Sequence, residues 1–221
     1  MNIGVIGGTF DPIHIGHLIV AEEARMKLGL AEVLFVPAGQ PWLKHDRDIT
    51  AAVHRVEMVR RGIADNPNFK LSTLEVDRLG PSYTVETLTL LQDQLSSQAS
   101  LFFILGRDTL AELPLWKEPR RVIRLCRLVV PPRLGSRDLR HLEEAIPGLL
   151  ERVIQLDMPV VGISSSEIRQ RIARGMSIRY LVPTAVERYI AEQRIYPVSA
   201  SSLAPVNPSH ATSANQGEFN G

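Results

Sequence analysis

Two histidines stand three residues apart just beyond a pair of glycines, in the segment Gly7-Gly8-Thr9-Phe10-Asp11-Pro12-Ile13-His14-Ile15-Gly16-His17-Leu18. The segment joins a β-branched run to a helical pattern. Glycines let the backbone approach a ligand closely. The first turn of the helix that follows offers unpaired N–H groups and a partial positive charge, which suits a phosphate. His14 and His17 then fall on neighbouring directions of that turn. Three readings of the pair compete: core or capping side chains without chemistry, two metal ligands, or two donors to phosphate oxygens. The metal reading lacks a third ligand nearby, since Asp11 can serve the turn of the loop instead, and no metal ligand is assigned. Beside a glycine loop at a helix start, the phosphate reading ranks first. The pattern is neither Gly-x-Gly-x-x-Gly nor the Lys-Ser/Thr phosphate loop, which points away from hydride transfer and ordinary NTP hydrolysis.

A second constellation lies far along the chain, at Gly162-Ile163-Ser164-Ser165-Ser166-Glu167-Ile168-Arg169. Ser164 and Glu167 match a capping box, so a helix begins there. Ser165 and Ser166 occupy its first turn, and Arg169 follows one turn later on the same side. Helix start, hydroxyls and a guanidinium together suit β- and γ-phosphates. Taken alone, the same residues also describe an ordinary capped surface helix.

The elements that must carry these groups alternate along the chain. Strands are expected at Asn2–Ile6, broken by Gly7-Gly8, and at Val33–Val36, Phe69–Leu71, Leu101–Leu105, Leu125–Val130 and Val153–Leu156. Helical patterns occupy Ile15–Leu28, ended by Gly29, and a stretch capped by Thr50 with Ala52, Val56, Val59 and Ile63 on one face. Further helices run through Thr84, Leu88, Leu91 and Leu95, near Asp138–Leu150, from Ser164 and from Thr184. Strand–helix alternation of this kind predicts an α/β fold, a parallel sheet with helices on both faces. Ligands of such sheets bind at the carboxyl ends of the strands, where the connection order reverses.

Composition narrows the class. Of 221 residues, 44% are apolar and 22% charged, the balance of a globular protein able to build a core. The formal charge is +1, which disfavours a general polyanion binder. The one cysteine, Cys126, excludes an internal disulfide framework. No apolar run reaches the about 18 residues of a membrane span, and no export signal precedes the first strand, so no membrane partner and a cytoplasmic location are expected. Residues 197–221 contain three Pro, five Ser, four Ala and three Asn, with Glu218 the one ionised side chain. They read as a low-complexity, disordered tail behind a domain of residues 1–196. Lys117–Arg140 carries a local excess of positive charge. Without interleaved aromatics it reads as a solvated face or a subunit contact of a homo-oligomer, or as a field that attracts a charged nucleotide, rather than as a nucleic-acid site.

The first loop resembles the histidine-bearing signature of the nucleotidyltransferase superfamily, related to the corresponding loop of class I aminoacyl-tRNA synthetases. The second segment resembles that family's Ile-Ser-Ser-Thr-x-Ile-Arg motif, with Ser166 in place of Thr and the hydroxyl kept. Three stretches between them resemble one branch, the bacterial nicotinate-nucleotide adenylyltransferases: Gly39–Lys44, Gly80–Leu88 and Gly106–Lys117. The branch often carries Asn at Gly39 and Ala at Arg107. The resemblance spans residue 1 to about 196 and implies a Rossmann-like nucleotidyltransferase fold.

The resemblance also implies an activity: transfer of AMP from ATP to nicotinate mononucleotide, in NAD biosynthesis, with release of pyrophosphate. Nicotinamide mononucleotide and phosphopantetheine are the alternative acceptors within the superfamily. Gly7, Gly8, Thr9 and Phe10 would cradle the α-phosphate region and adenosine, and Gly106 and Asp108 the ribose. His14 and His17 would be the catalytic donors, and Ser165, Ser166 and Arg169 would hold the leaving pyrophosphate. A pyridine ring with a carboxylate needs a flat apolar partner and anion donors, which Trp116 and the helix start at Tyr83-Thr84 would supply. Lys44 would reach a phosphate. Mg²⁺ would arrive with ATP and keep most of its waters.

Overall fold

The six runs expected as strands become β1 (Asn2–Gly8), β2 (Glu32–Pro37), β3 (Phe69–Leu71), β4 (Ser100–Ile104), β5 (Cys126–Val130) and β6 (Val153–Gln155). All pair in parallel, in the order β3-β2-β1-β4-β5-β6. The structure, a computed structural model, describes residues 1–41, 49–95, 99–132 and 140–199. Lys44 and residues 200–221 lie outside the described residues.

Side chains of successive strand residues point to opposite faces, so each strand feeds two cores. Ile3 and Val5 of β1, with Leu101 and Phe103 of β4, join one core; Ile6, Phe102 and Ile104 join the other. On the face of Ile6 lie α1 (Ile15–Lys27), α2 (Ala52–Gly62), α7 (Ser165–Ala173) and α8 (Thr184–Gln193). The opposite face is covered by α3 (Thr84–Gln94), α5 (Pro119–Leu125) and α6 (Arg140–Ala145). Strand order reverses between β1 and β4. The segments leaving these neighbouring strands diverge there and open a crevice at their carboxyl ends.

Local expectations held in several places. Leu28 caps α1 and Gly29 takes the left-handed φ of +58° that ends it, while Lys27 meets Glu23 at 3.1 Å. Others need correction. β1 does not break at Gly7-Gly8: both stay in register, opposite Val36 and Pro37. Thr50 does not cap α2; Ala51 occupies that position without a side-chain bond. The crossover from β4 to β5 holds two helices without a strong periodic signal, α4 (Arg107–Ala111) and α5, with a 3-10 turn at Leu113–Leu115 between them. Beyond α8, Ser199 N–H donates to Ala173 C=O at 2.8 Å. Among the described residues no helix is long and apolar enough to cross a membrane. Cys126 is buried, and burial pushes its thiol up to about 12.

Candidate active site

β1 delivers Gly7 and Gly8 into the crevice, and the chain then turns sharply. Phe10 makes that turn with φ +51°, a strained value for a residue with a side chain. Its ring is buried beneath the loop, and a Cβ on Gly8 would lie 3.3 Å from it, so the position favours glycine.

His14 is the N-cap of α1, and His17 is the third residue of the helix. The His14 N–H donates to Nδ1 of His17 at 3.2 Å, and the His17 N–H donates to the His14 carbonyl at 3.0 Å. An imidazole that accepts at Nδ1 carries its proton on Nε2 when neutral. The local helix start therefore sets the tautomer of His17. The two rings stack at 3.6 Å, and Phe10 meets His17 edge-on at 5.1 Å. Burial pushes His14 down to about 4, so this ring is neutral near pH 7. Its Nδ1 is buried without a partner among the described residues. The capping and chemical readings of the pair are thus compatible: the His17 side chain that closes the helix start lines the crevice beside the His14 ring.

The second constellation docks directly on the first. Ser164 caps α7 by accepting from the Glu167 N–H at 3.2 Å. The Ser165 hydroxyl then donates to the Pro12 carbonyl at 2.8 Å. One terminal nitrogen of Arg169 donates to the Asp11 carbonyl at 2.6 Å, and the other reaches Ser166 Oγ at 3.5 Å. These bonds use only part of the guanidinium's donor set. Asp11 is no mere turn residue. It is 5% exposed, and its carboxylate accepts from the Tyr196 hydroxyl at 2.7 Å and the Thr50 N–H at 3.3 Å.

The far wall is knitted around Glu75. The Thr87 hydroxyl donates to it at 2.6 Å, Ser82 also bonds it, and burial raises its pKa. Ser82 Oγ in turn accepts the N–H groups of Gly39 and Gln40 at 2.9 and 3.3 Å. A Cβ on Gly39 would sit 2.2 Å from the Glu75 carbonyl, so this chain needs glycine where the branch often has Asn.

These walls enclose a cleft of about 620 Å³. Gly7, Gly8, Thr9, Phe10, His14 and His17 line it from the first loop, and Ser165, Ser166 and Arg169 from α7. Thr84, Gly106, Asp108 and Trp116 line the remainder. Trp116 packs against Phe103 at 87° and 6.1 Å, with its Nε1 buried and unpartnered among the described residues. Tyr83 is not brought into the cleft: it is the N-cap of α3, and its ring lies 4.5 Å beneath the Lys117 ammonium. Arg120, Arg121 and Arg124 line a separate shallow depression, away from this site.

Sequence reasoning missed Arg55, Glu75, Ser82 and Tyr196. Arg55 left one trace, a charge three and four residues before Met58 and Val59 on the buried face of α2. The other three left none, because their roles arise from partners distant in sequence.

A glycine loop leading into a histidine-bearing helix, joined to a capped helix carrying hydroxyls and an arginine, defines a nucleotidyl-transfer class of site. The cytidylyltransferase-like family model matches residues 5–171. A relative from Dehalococcoides mccartyi, named "Probable nicotinate-nucleotide adenylyltransferase", is 46% identical over 89% of this chain and 97% of its own length. One of the same name from a Roseiflexus species is 49% identical over 88% of this chain and 97% of its own. Among solved structures, the Plasmodium falciparum nicotinic acid mononucleotide adenylyltransferase complexed with NaAD aligns with a TM-score of 0.71. It is 20% identical and covers 88% of this chain and 97% of that one, a likeness in fold. The chain belongs to the cytidylyltransferase-like family, among the nicotinate-nucleotide adenylyltransferases.

Proposed function

We propose that the protein transfers AMP from ATP to nicotinate mononucleotide, giving nicotinate adenine dinucleotide and pyrophosphate. The observation that carries this reading is the docking of α7 on the glycine loop, Ser165 to Pro12 and Arg169 to Asp11, which joins the two phosphate-binding constellations in one cleft. The high identity to the curated relatives supports the choice of acceptor.

A phosphate oxygen of the mononucleotide attacks the α-phosphorus. A new P–O bond forms, the bond to the bridging α,β-oxygen breaks, and pyrophosphate leaves with that electron pair. The nucleophile is already ionised near neutral pH, so no general base is needed. Catalysis is positioning plus stabilisation of charge on the leaving group. Gly7, Gly8, Thr9 and Phe10 hold the α-phosphate and adenosine, and Gly106 and Asp108 the ribose. His14 and His17 act as donors to the phosphate oxygens. Ser165, Ser166 and Arg169 hold the departing pyrophosphate at the start of α7. Trp116 stacks on the pyridine, while the α3 start at Thr84 faces its carboxylate through backbone and hydroxyl donors. Lys44 belongs to this reading as a phosphate contact. Mg²⁺ would accompany ATP as part of the substrate and offset the charge on its phosphates. The described residues contain no group of three His, Cys, Asp or Glu to enclose it.

The test is pyrophosphate release from ATP with nicotinate mononucleotide, run beside nicotinamide mononucleotide and phosphopantetheine. Turnover with the acid is expected; turnover only with another acceptor reassigns the substrate, and none with any refutes transfer. The reading places the activity in residues 1–196. A chain shortened to end at Ser199, whose N–H holds Ala173, keeps full turnover if that is right.

A further inference from the structure

Arg55 is the largest of the fully buried side chains, 2% exposed, and it sits at the junction of three segments. Its Nε donates to the Thr50 carbonyl at 2.8 Å. One terminal nitrogen donates to the Thr9 carbonyl at 2.9 Å, and the other to the Gly39 carbonyl at 3.2 Å. Thr9 belongs to the glycine loop. Gly39 belongs to the turn after β2 and is tied through Ser82 to the start of α3. One planar group thus bonds both walls of the cleft. Its charge is offset nearby by the Asp11 and Glu75 carboxylates, which favour the cation against the burial that disfavours it.

We infer that Arg55 is a positioning residue that sets the separation between the nucleotide-triphosphate wall and the acceptor wall, and so the approach of one phosphate to the other. The inference rests on the reading of the cleft given above. Arg55 itself does not line the cleft. Direct transfer requires the reacting atoms to stand about 3–3.5 Å apart, and a misplacement of about 1 Å costs roughly 10²-fold in rate. Each substrate has its own contacts on its own wall. Loosening the tie between the walls therefore spares the individual affinities and slows the chemical step. The guanidinium geometry is essential: a lysine ammonium is a point donor and cannot span the three carbonyls that the fork reaches.

Arg55→Lys, which keeps the charge, and Arg55→Gln, which leaves no unpaired buried cation, test this. Binding of a non-hydrolysable ATP analogue and of nicotinate mononucleotide is measured separately, beside kcat and the melting temperature. The expected result is affinities within about three-fold of wild type for each ligand and a kcat lower by about ten-fold or more in either folded variant. A folded variant with a lower melting temperature and wild-type kcat would show a purely structural brace and overturn the inference. So would a rate loss wholly explained by weaker binding of one substrate. The wild type, assayed in parallel, separates the two levels: if it fails to turn over, the functional reading falls and takes the inference with it, whereas a working wild type matched by both variants defeats only the role of Arg55.

Discussion

Replacing Tyr196 with phenylalanine removes one oxygen and leaves the ring that packs in the core. That oxygen donates to a carboxylate oxygen of Asp11 at 2.7 Å, in a contact buried from solvent. Burial and the neighbouring Asp11 charge both raise the phenol's pKa, so it remains a donor at any working pH. In the variant, Asp11 keeps the Thr50 N–H at 3.3 Å but loses its shorter bond, with little access to water to replace it. A hydrogen bond to a charged group contributes about 1.5–3 kcal/mol. In a domain of this size, about 1 kcal/mol corresponds to roughly 2–4 °C of melting temperature, so about 2 kcal/mol predicts a fall of about 4–8 °C. The effect reaches the site because Asp11 also offers its carbonyl to Arg169. Thermal melts of the two proteins at equal concentration measure the first effect, and steady-state turnover at 25 °C measures the second. A melting temperature within about 1 °C of wild type would refute the argument, since it would mean that the buried carboxylate gains nothing from the phenol.

His17→Ala removes a donor whose tautomer the helix start sets, and a fall in kcat of about 10²-fold or more is expected by single-turnover assay. Wild-type-like turnover of that variant would remove His17 from the mechanism. Trp116→Ala strips the aromatic wall and is expected to raise KM for the mononucleotide while sparing KM for ATP; the reverse split would move the pyridine elsewhere. His14 predicts a pH dependence of stability. Its folded value is about 4, below the unfolded value of about 6.5, so the unfolded chain takes up the proton first as pH falls. The associated stability is complete above pH 6.5 and is lost as pH falls towards 4, by up to about 3 kcal/mol. Denaturation curves of wild type and His14→Gln between pH 7.5 and 4.5 should converge on the acid side, and parallel curves would contradict the assignment.

What could be read from the chain alone is what neighbours in sequence decide. The inner strands β1, β2, β4 and β5 announced themselves by short apolar runs, because a strand buried on both faces needs nothing else. Ser164 announced a helix start because a cap is a bond between residues three apart. The spacing of His14 and His17 placed both rings at one helix start for the same reason. The helices α4 and α5 escaped because elements of five and seven residues are too short to display a period. The support of the site was decided elsewhere. Arg55 reaches the Thr9 carbonyl across 46 positions, Arg169 reaches Asp11 across 158, and Tyr196 reaches it across 185. No local pattern records such partners, because a buried polar group is satisfied by whatever the folded sheet brings near it. The sequence by itself carried the reactive groups and the turns that present them. Only the closed α/β body chose the partners that hold those turns against one another.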